Sequence, residues 1–171
     1  MAFCGQDHCT VDANGRVRLS PRLLTDFSEQ GGVVVVHCLP EGALGLYPLA
    51  AWRQMRRSEG DDQPEAARSI VARRQLRRFG ALSQQDSISR QGRITIPVPF
   101  RDLTELTPGT EAVLVGVEIG VEVWNAKRWE AEFETLLNHE KEKAEREMRA
   151  DLNRVDARPI KGAGGTQTME E

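Results

Sequence analysis

At 171 residues, 39% of them apolar and 29% charged, the chain is long enough to bury one shared core or two small ones. Its net charge of −3 and pI near 5.7 argue against a protein that coats nucleic acid indiscriminately. Cys4, Cys9 and Cys38 are too few and odd in number for a disulfide framework, no apolar leader opens the chain, and no apolar run approaches the ~18 residues of a membrane span, so a soluble, reducing, cytoplasmic setting is expected.

Phe3 to Val11 reads as a first strand running into the turn Asp12-Ala13-Asn14-Gly15. Arg16 to Leu19 is predicted to return beside it, with Arg16 and Arg18 on one face and Val17 and Leu19 on the other. Pro21 suits the first turn of a short helix over Arg22-Leu23-Leu24, which Gly31-Gly32 ends. Val33 to Val36 is β-branched throughout and predicts a strand buried on both faces. Glu41-Gly42 turns the chain, Leu44 and Leu46 alternate inward, and Tyr47-Pro48 closes the strand. A helix from Leu49 to Arg57 carries Trp52 and Met55. Residues 58–63 read as a loop, and Asp62 as the cap of a helix with Pro64 and Glu65 in its first turn. That helix runs to about Phe79 and offers Ile70, Val71, Leu76 and Phe79 for packing.

Then the pattern starts again. Ala81–Ile88 reads as a strand, Arg90-Gln91-Gly92 as a turn and Arg93–Ile96 as its return partner. Pro97 and Pro99 start a turn through Phe100 and Leu103, and Pro108-Gly109 precedes strands at Ala112–Val117 and Val121–Trp124. Asn125 is the candidate cap of a last helix, in which Trp129, Phe133, Leu136 and Leu137 form one apolar face for two turns. Glu140–Arg149 is almost wholly charged, and its Glu142/Arg146 and Glu145/Arg149 pairs contribute ~0.3–0.5 kcal/mol each. From about Asp156 the composition predicts a flexible tail.

The two halves match at an offset of 77 residues, which carries Gly32 onto Gly109, Val36 onto Val113, Leu44 onto Val121, Leu46 onto Val123, Tyr47 onto Trp124 and Trp52 onto Trp129. One β-β-α-β-β unit is therefore written twice. The organisation this predicts is a first repeat with its trailing helix at 1–57, a loop and basic connecting helix at 58–79, a second repeat with the C-terminal helix at 80–155, and the tail at 156–171.

Charge is local rather than global. Between Arg68 and Arg101 eight arginines stand against Asp86 alone, a net +7, and arginine suits bidentate contact with phosphates or guanine edges. Nothing in a hairpin requires an arginine directly after both turns, yet Arg16 and Arg93 stand there. Asp12, four residues before Arg16, is placed to hold its guanidinium or to accept turn N–H groups. Its counterpart Ser89 can accept such a bond but cannot neutralise Arg93.

Other chemistries find little support. Cys4, His8, Cys9, His37 and Cys38 do not follow a zinc-site spacing, so no metal is expected. Neither a nucleophile elbow nor a phosphate-binding or dinucleotide loop occurs, so no catalytic residue, cofactor or small-molecule substrate is predicted. Tyr47, Trp52, Trp124 and Trp129 sit at matched strand ends and helix starts, which predicts core or subunit packing rather than a base-stacking platform.

Two D-x-x-G-R-like hairpins, each followed by a short helical turn, a Val-rich strand and an aromatic-ended strand feeding a Trp-containing helix, resemble the MraZ family. That family is the two-headed relative of the swapped-hairpin AbrB/SpoVT-type transcription factors. The likeness covers about residues 1–140 and is most specific at Asp12–Leu19, Ser89–Phe100 and Val121–Trp129; it departs from the family motif at Ser89, where the motif carries Asp. The resemblance implies an α+β fold in which duplicated β-β-α-β-β units form a pseudo-symmetric swapped-hairpin, AbrB-like β-barrel with flanking helices. It further implies a sequence-specific regulator of double-stranded DNA, acting on promoter-proximal repeats of a cell-division and cell-wall gene cluster as a ring-shaped homo-oligomer in the cytoplasm and nucleoid. The DNA-binding residues would be Asp12, Asn14, Gly15, Arg16, Arg18, Arg90, Gln91, Gly92 and Arg93. The rival is an oligomeric protein-interaction scaffold without DNA binding; the net negative charge and Ser89 favour it, and the Arg68–Arg101 cluster opposes it.

Overall fold

The structure, a computed structural model, describes residues 2–58 and 69–156. Among these the elements follow as β1 (Gln6–Thr10), β2 (Arg16–Arg18), α1 (Pro21–Glu29), β3 (Val33–Cys38), β4 (Leu44–Pro48), α2 (Leu49–Ser58), α3 (Ile70–Ala81), β5 (Ser83–Ser87), β6 (Arg93–Thr95), α4 (Val98–Thr104), β7 (Glu111–Gly116), β8 (Val121–Asn125) and α5 (Ala126–Asp156). The chain divides into two units, Met1–Glu130 and Ala131–Glu171.

In the first unit the repeats exchange strands. β2 forms no ladder with β1, as the turn predicts it should; it pairs antiparallel with β6 of the other repeat, Val17 opposite Ile94, while β1 pairs with β7 and β5 with β3. Turn chemistry reverses the chain but does not choose the partner. Burial chooses it here, because the β2/β6 pairing sinks Val17 and Ile94, 0% and 2% exposed, into one core. The strands assemble into an open six-stranded sheet, β1-β7-β8-β4-β3-β5, and the separate two-stranded β2/β6 ribbon, so the ladders form two antiparallel sheets rather than one closed barrel. The α+β class stands. Reversing the sheet order exchanges the repeats, which places the pseudo-twofold between β4 and β8, where Leu44 faces Val123 and Leu46 faces Val121.

The offset of 77 needs correcting in one stretch. Val34 pairs with Pro48 and Ala112 with Asn125, so β3 maps onto β7 at an offset of 78 while β4 maps onto β8 at 77. Val11 N–H donates to Thr110 O and Ile88 N–H to Gly32 O, which matches Gly32 with Thr110 rather than with Gly109. Val36 therefore corresponds to Leu114, both in the central core, whereas Val113 lies on the opposite face against Trp124 and Trp129. A shift of one residue changes the face of a strand.

One sheet face carries Val34, Val36, Leu44, Leu46, Leu114, Val121 and Val123 into the core shared with the ribbon, with Leu23 and Phe27 of α1 and with Phe100 of α4. Each such fully buried side chain contributes about 1.5–3 kcal/mol. Pro21 opens α1, which is longer than expected, and Pro97 precedes α4, a true helix where only a turn was expected; Leu103 on it is exposed. The other sheet face holds two aromatic groups at matched positions. Tyr47 stacks on Trp52 at 6.1 Å, and Trp124 tilts against Trp129 at 5.7 Å. Trp129 Nε1 donates to Gln6 Oε1 at 2.9 Å, and His37 lies 5.0 Å from Trp52 and 5.5 Å from Phe79 with Nδ1 2.9 Å from Ser83 Oγ. Tyr47 and Trp124 are buried, as packing predicts.

Three expectations on the helices change. Within the described residues α3 begins at Ile70, capped by Ser69 Oγ accepting from Ala72 N–H, and ends at Ala81, which shortens β5 to Ser83–Ser87. Ile70 and Val71 are 66% and 69% exposed instead of packed. The cap at Asp62, the helical turn at Pro64 and Glu65, and the tail beyond 156 lie outside the described residues. Asn125 does cap α5, its Oδ1 accepting from Lys127 N–H at 3.0 Å. In the second unit Phe133, Leu136 and Leu137 are exposed rather than packed. Arg146 Nε there donates to the main-chain carbonyl of Glu142 at 3.2 Å.

Candidate nucleic-acid interface

Both turns are built the same way. Gly15 N–H donates to Asp12 O at 2.8 Å and Asp12 N–H to Arg16 O at 2.9 Å; the matching bonds, Gly92 to Ser89 and Ser89 to Arg93, are 2.8 and 2.9 Å. Gly15 and Gly92 take φ of +72° and +75°, a region that costs an L side chain about 1–2 kcal/mol. Each turn is then bonded to the other repeat, Ile96 N–H to Gly15 O and Leu19 N–H to Gly92 O, both at 2.8 Å. The turns thus sit at opposite ends of one ribbon.

Burying Val17 and Ile94 turns their neighbours outward. Arg16, Arg18, Arg93 and Thr95 share the outer face, with Arg16 in register with Thr95 and Arg18 in register with Arg93. Directly opposite residues lie about 4.5–5.5 Å apart at Cβ, inside the ~10 Å screening length of physiological salt, so the positive fields of Arg18 and Arg93 add. Arg90 and Gln91 are exposed at the second turn, as is Asn14 at the first. Every residue singled out from the sequence for this site lies on the ribbon or its two turns.

The ends differ in charge compensation. Asp12 Oδ1 accepts from Asn14 N–H at 2.9 Å and from Arg16 N–H at 3.0 Å, and Oδ2 accepts from Arg16 Nε at 2.9 Å, so this residue both shapes the turn and holds the guanidinium. Desolvation pushes its carboxyl up, but the Arg16 N–H, the guanidinium and the Asn14 N–H outweigh it and hold the group below its ordinary value. Among the described residues Ser89 Oγ accepts from Arg93 N–H alone, at 3.0 Å. Arg93 has no ion-pair partner among the described residues.

Sequence reasoning missed a tenth residue. Arg101 of α4 donates from Nε to Ile96 O at 2.9 Å and from Nη2 to Asn14 O at 3.1 Å, so a second-repeat side chain lies on the first-repeat turn. Its signals in the sequence are its place in the Arg68–Arg101 basic segment and an arginine where the first repeat has Leu24.

The remaining polar candidates lie elsewhere. Cys9 packs against the core and Cys38 is buried within it, which pushes both thiols up, Cys38 to about 11. His37, next to Cys38 in β3, points to the opposite sheet face among Trp52 and Phe79. Among the described residues no helix is long and apolar enough to cross a membrane.

These features define an α+β protein made of a tandem repeat whose two halves exchange strands and present paired arginine-bearing turns on one ribbon. The family model described as "MraZ protein, putative antitoxin-like" matches residues 2–76 and 83–153, one segment for each repeat. The chain belongs to the MraZ family. It is 34% identical over 134 residues to the "Transcriptional regulator MraZ" of Pediococcus pentosaceus, covering 77% of this chain and 87% of that protein. The proteins of the same name from Moorella thermoacetica, 33% identical over 75% of this chain and 84% of that protein, and from Frankia alni, 32% identical over 78% and 87%, are similar to it to the same degree.

Proposed function

We propose that this protein is a transcriptional regulator that binds double-stranded DNA sequence-specifically through the outer face of the β2/β6 ribbon and the two turns leading into it. The observation that carries the reading is the register pair Arg18 and Arg93. Like charges directly opposite in a ribbon are destabilising, and an anion lying across both relieves the repulsion, as a phosphate backbone does. Arg16, Arg18, Arg90 and Arg93 then contact phosphates and base edges, Asn14 and Gln91 supply amide groups that can pair with adenine, and Asp12 orients Arg16. Gly15 and Gly92 keep the turns tight enough to approach the duplex.

The exchange of β2 and β6 between repeats supports the swapped-hairpin, AbrB-like description of the two halves, residues 1–57 and 80–155 joined through 58–79. A single acidic body with few arginines binds weakly, so a ring-shaped homo-oligomer would multiply its contacts on repeated sites. Promoter-proximal repeats of a cell-division and cell-wall gene cluster, reached in the cytoplasm at the nucleoid, are the targets this reading assigns. No reaction is catalysed.

The test is a titration of the full chain with the DNA upstream of its own gene and with a scrambled duplex, repeated from low to physiological salt. Three phosphate contacts per subunit give a log–log salt slope of about −2.7 for each subunit engaged. Preference for the upstream duplex with such a slope supports the reading. Equal, salt-insensitive or absent binding refutes it in favour of an interaction scaffold.

A further inference from the structure

Three hydrogen bonds close a loop between the repeats at the first turn. Ile96 N–H donates to Gly15 O at 2.8 Å, Arg101 Nε donates back to Ile96 O at 2.9 Å, and Arg101 Nη2 donates to Asn14 O at 3.1 Å. A Cβ on Gly15 would fall on the Arg101 guanidinium, so the glycine is also what lets that group lie against the turn. Among the described residues the second turn has no such clamp. Leu24 stands at the matched position, and its Cδ2 comes 3.5 Å from where a Gly92 Cβ would be, an aliphatic cover with no directional bond. Asp12 adds three bonds to the first turn, whereas Ser89 Oγ adds one to the second.

We propose that Arg101 is a positioning residue: reaching from the second repeat, it fixes the main chain of the first turn so that Asn14 and Arg16 meet DNA in a single geometry. The second turn, covered by Leu24 and held by Ser89, is left to adapt to the duplex backbone. A guanidinium is suited to this because its planar fork holds two carbonyls at a fixed angle, which a lysine ammonium does not. The clamp is a property of the free protein; its consequence for reading sequence rests on the DNA-binding function proposed above.

Two variants of the full chain test it. Arg101→Leu installs the residue the first repeat carries at the matched position, and Arg101→Lys keeps the charge without the fork. Amide hydrogen exchange is read at Gly15, Arg16 and Ile96, with Leu19, Gly92 and Arg93 as the internal control. Both variants are expected to speed exchange at the first turn about tenfold, the effect of losing one ordinary hydrogen bond, and to leave the second turn unchanged. Arg101→Lys should lose about tenfold in the ratio of upstream to scrambled affinity. Unchanged exchange at the first turn, or a full ratio in Arg101→Lys, overturns the proposal, the latter because a charge alone would then suffice. If the parent itself does not discriminate between duplexes, the DNA-binding reading fails and positioning for DNA fails with it, while faster first-turn exchange still supports the clamp.

Discussion

Replacing Arg93 with alanine should weaken DNA binding while leaving the free protein as stable as before or slightly more so, and replacing Arg16 should weaken both. Arg93 faces Arg18 in register and has no anionic partner among the described residues, so its removal relieves a cross-strand repulsion of about 0.2–1 kcal/mol. Arg16 is held by Asp12 at 2.9 Å with about a third of its side chain exposed, so its removal discards a weak surface pair and leaves the carboxylate uncompensated. For a chain of this size about 1 kcal/mol moves the melting temperature by ~2–4 °C, so Arg93→Ala should melt within a few degrees at or above the parent and Arg16→Ala below it. On DNA, each loses about 1–3 kcal/mol where a base edge is read, and a lost phosphate contact reduces the salt slope by ~0.9 per subunit. The uncompensated Arg93 should lose more salt-dependent, sequence-tolerant affinity, and the oriented Arg16 more of the upstream-to-scrambled ratio. Ser89→Asp should carry the second turn toward the behaviour of the first. Calorimetric melts and anisotropy titrations at two salt concentrations decide the matter, and the reasoning is refuted if Arg93→Ala binds with an unchanged salt slope or melts well below the parent.

Gly15→Ala should cost about 2–4 kcal/mol, combining the positive-φ penalty with the loss of Arg101's bonds, and Gly92→Ala nearer 1–2 kcal/mol; thermal melts should rank them in that order. The Asp12 carboxyl should titrate below its ordinary 3.8 in carbon-detected NMR. Because its folded value is the lower one, the stability it contributes is fully present above about pH 4 and is lost as pH falls through that lowered value, a loss that Asp12→Asn should abolish. Trp129→Ala removes a side chain that is 9% exposed, packed on Trp124 and bonded to Gln6, and should cost about 3–5 kcal/mol in denaturant unfolding. Thiol labelling at pH 8 followed by mass spectrometry should modify Cys4 well before Cys38, whose burial pushes its thiol up to about 11.

Much of the fold is legible in the residues because burial and turn chemistry act locally. Asn14-Gly15 and Gln91-Gly92 announce tight turns, Pro21 and Asn125 mark helix starts, and the run Val33–Val36 announces a strand covered on both sides. Pairing is not local. Period-two alternation shows which face of Arg16–Arg18 is apolar but not that Val17 meets Ile94 across 77 residues of chain. The slip between β3 and β7 has a similar cause. Leu39 N–H closes its turn on Ala43 O, whereas Val117 N–H closes on Gly120 O, so the second hairpin loop is one residue shorter and cancels the extra residue before β7. A fixed offset matches valine with valine across this compensated shift and assigns the wrong face. Ile70, Val71, Phe133 and Leu137 mark the other limit, since their spacing predicts burial that the described residues do not supply.

The candidate site follows the same division. Arginine after both turns is a local feature and identified Arg16 and Arg93. Arg101 belongs to the site only because strand exchange brings α4 of one repeat onto the turn of the other, a juxtaposition that spacing along the chain cannot express. That exchange also explains what duplication within one chain can do that association of two identical single repeats cannot. In a symmetric dimer any change at one turn is imposed on both. Here Asp12 and Arg101 at one end of the ribbon face Ser89 and Leu24 at the other, while the bonds Ile96 N–H to Gly15 O and Leu19 N–H to Gly92 O keep the two ends equivalent in backbone. A ribbon with one stiff, compensated end and one looser, more positive end can divide tasks that oppose each other. Fixed geometry favours discrimination between bases, and an uncompensated charge on an adaptable turn favours attachment to any backbone, so each end can be tuned without weakening the other.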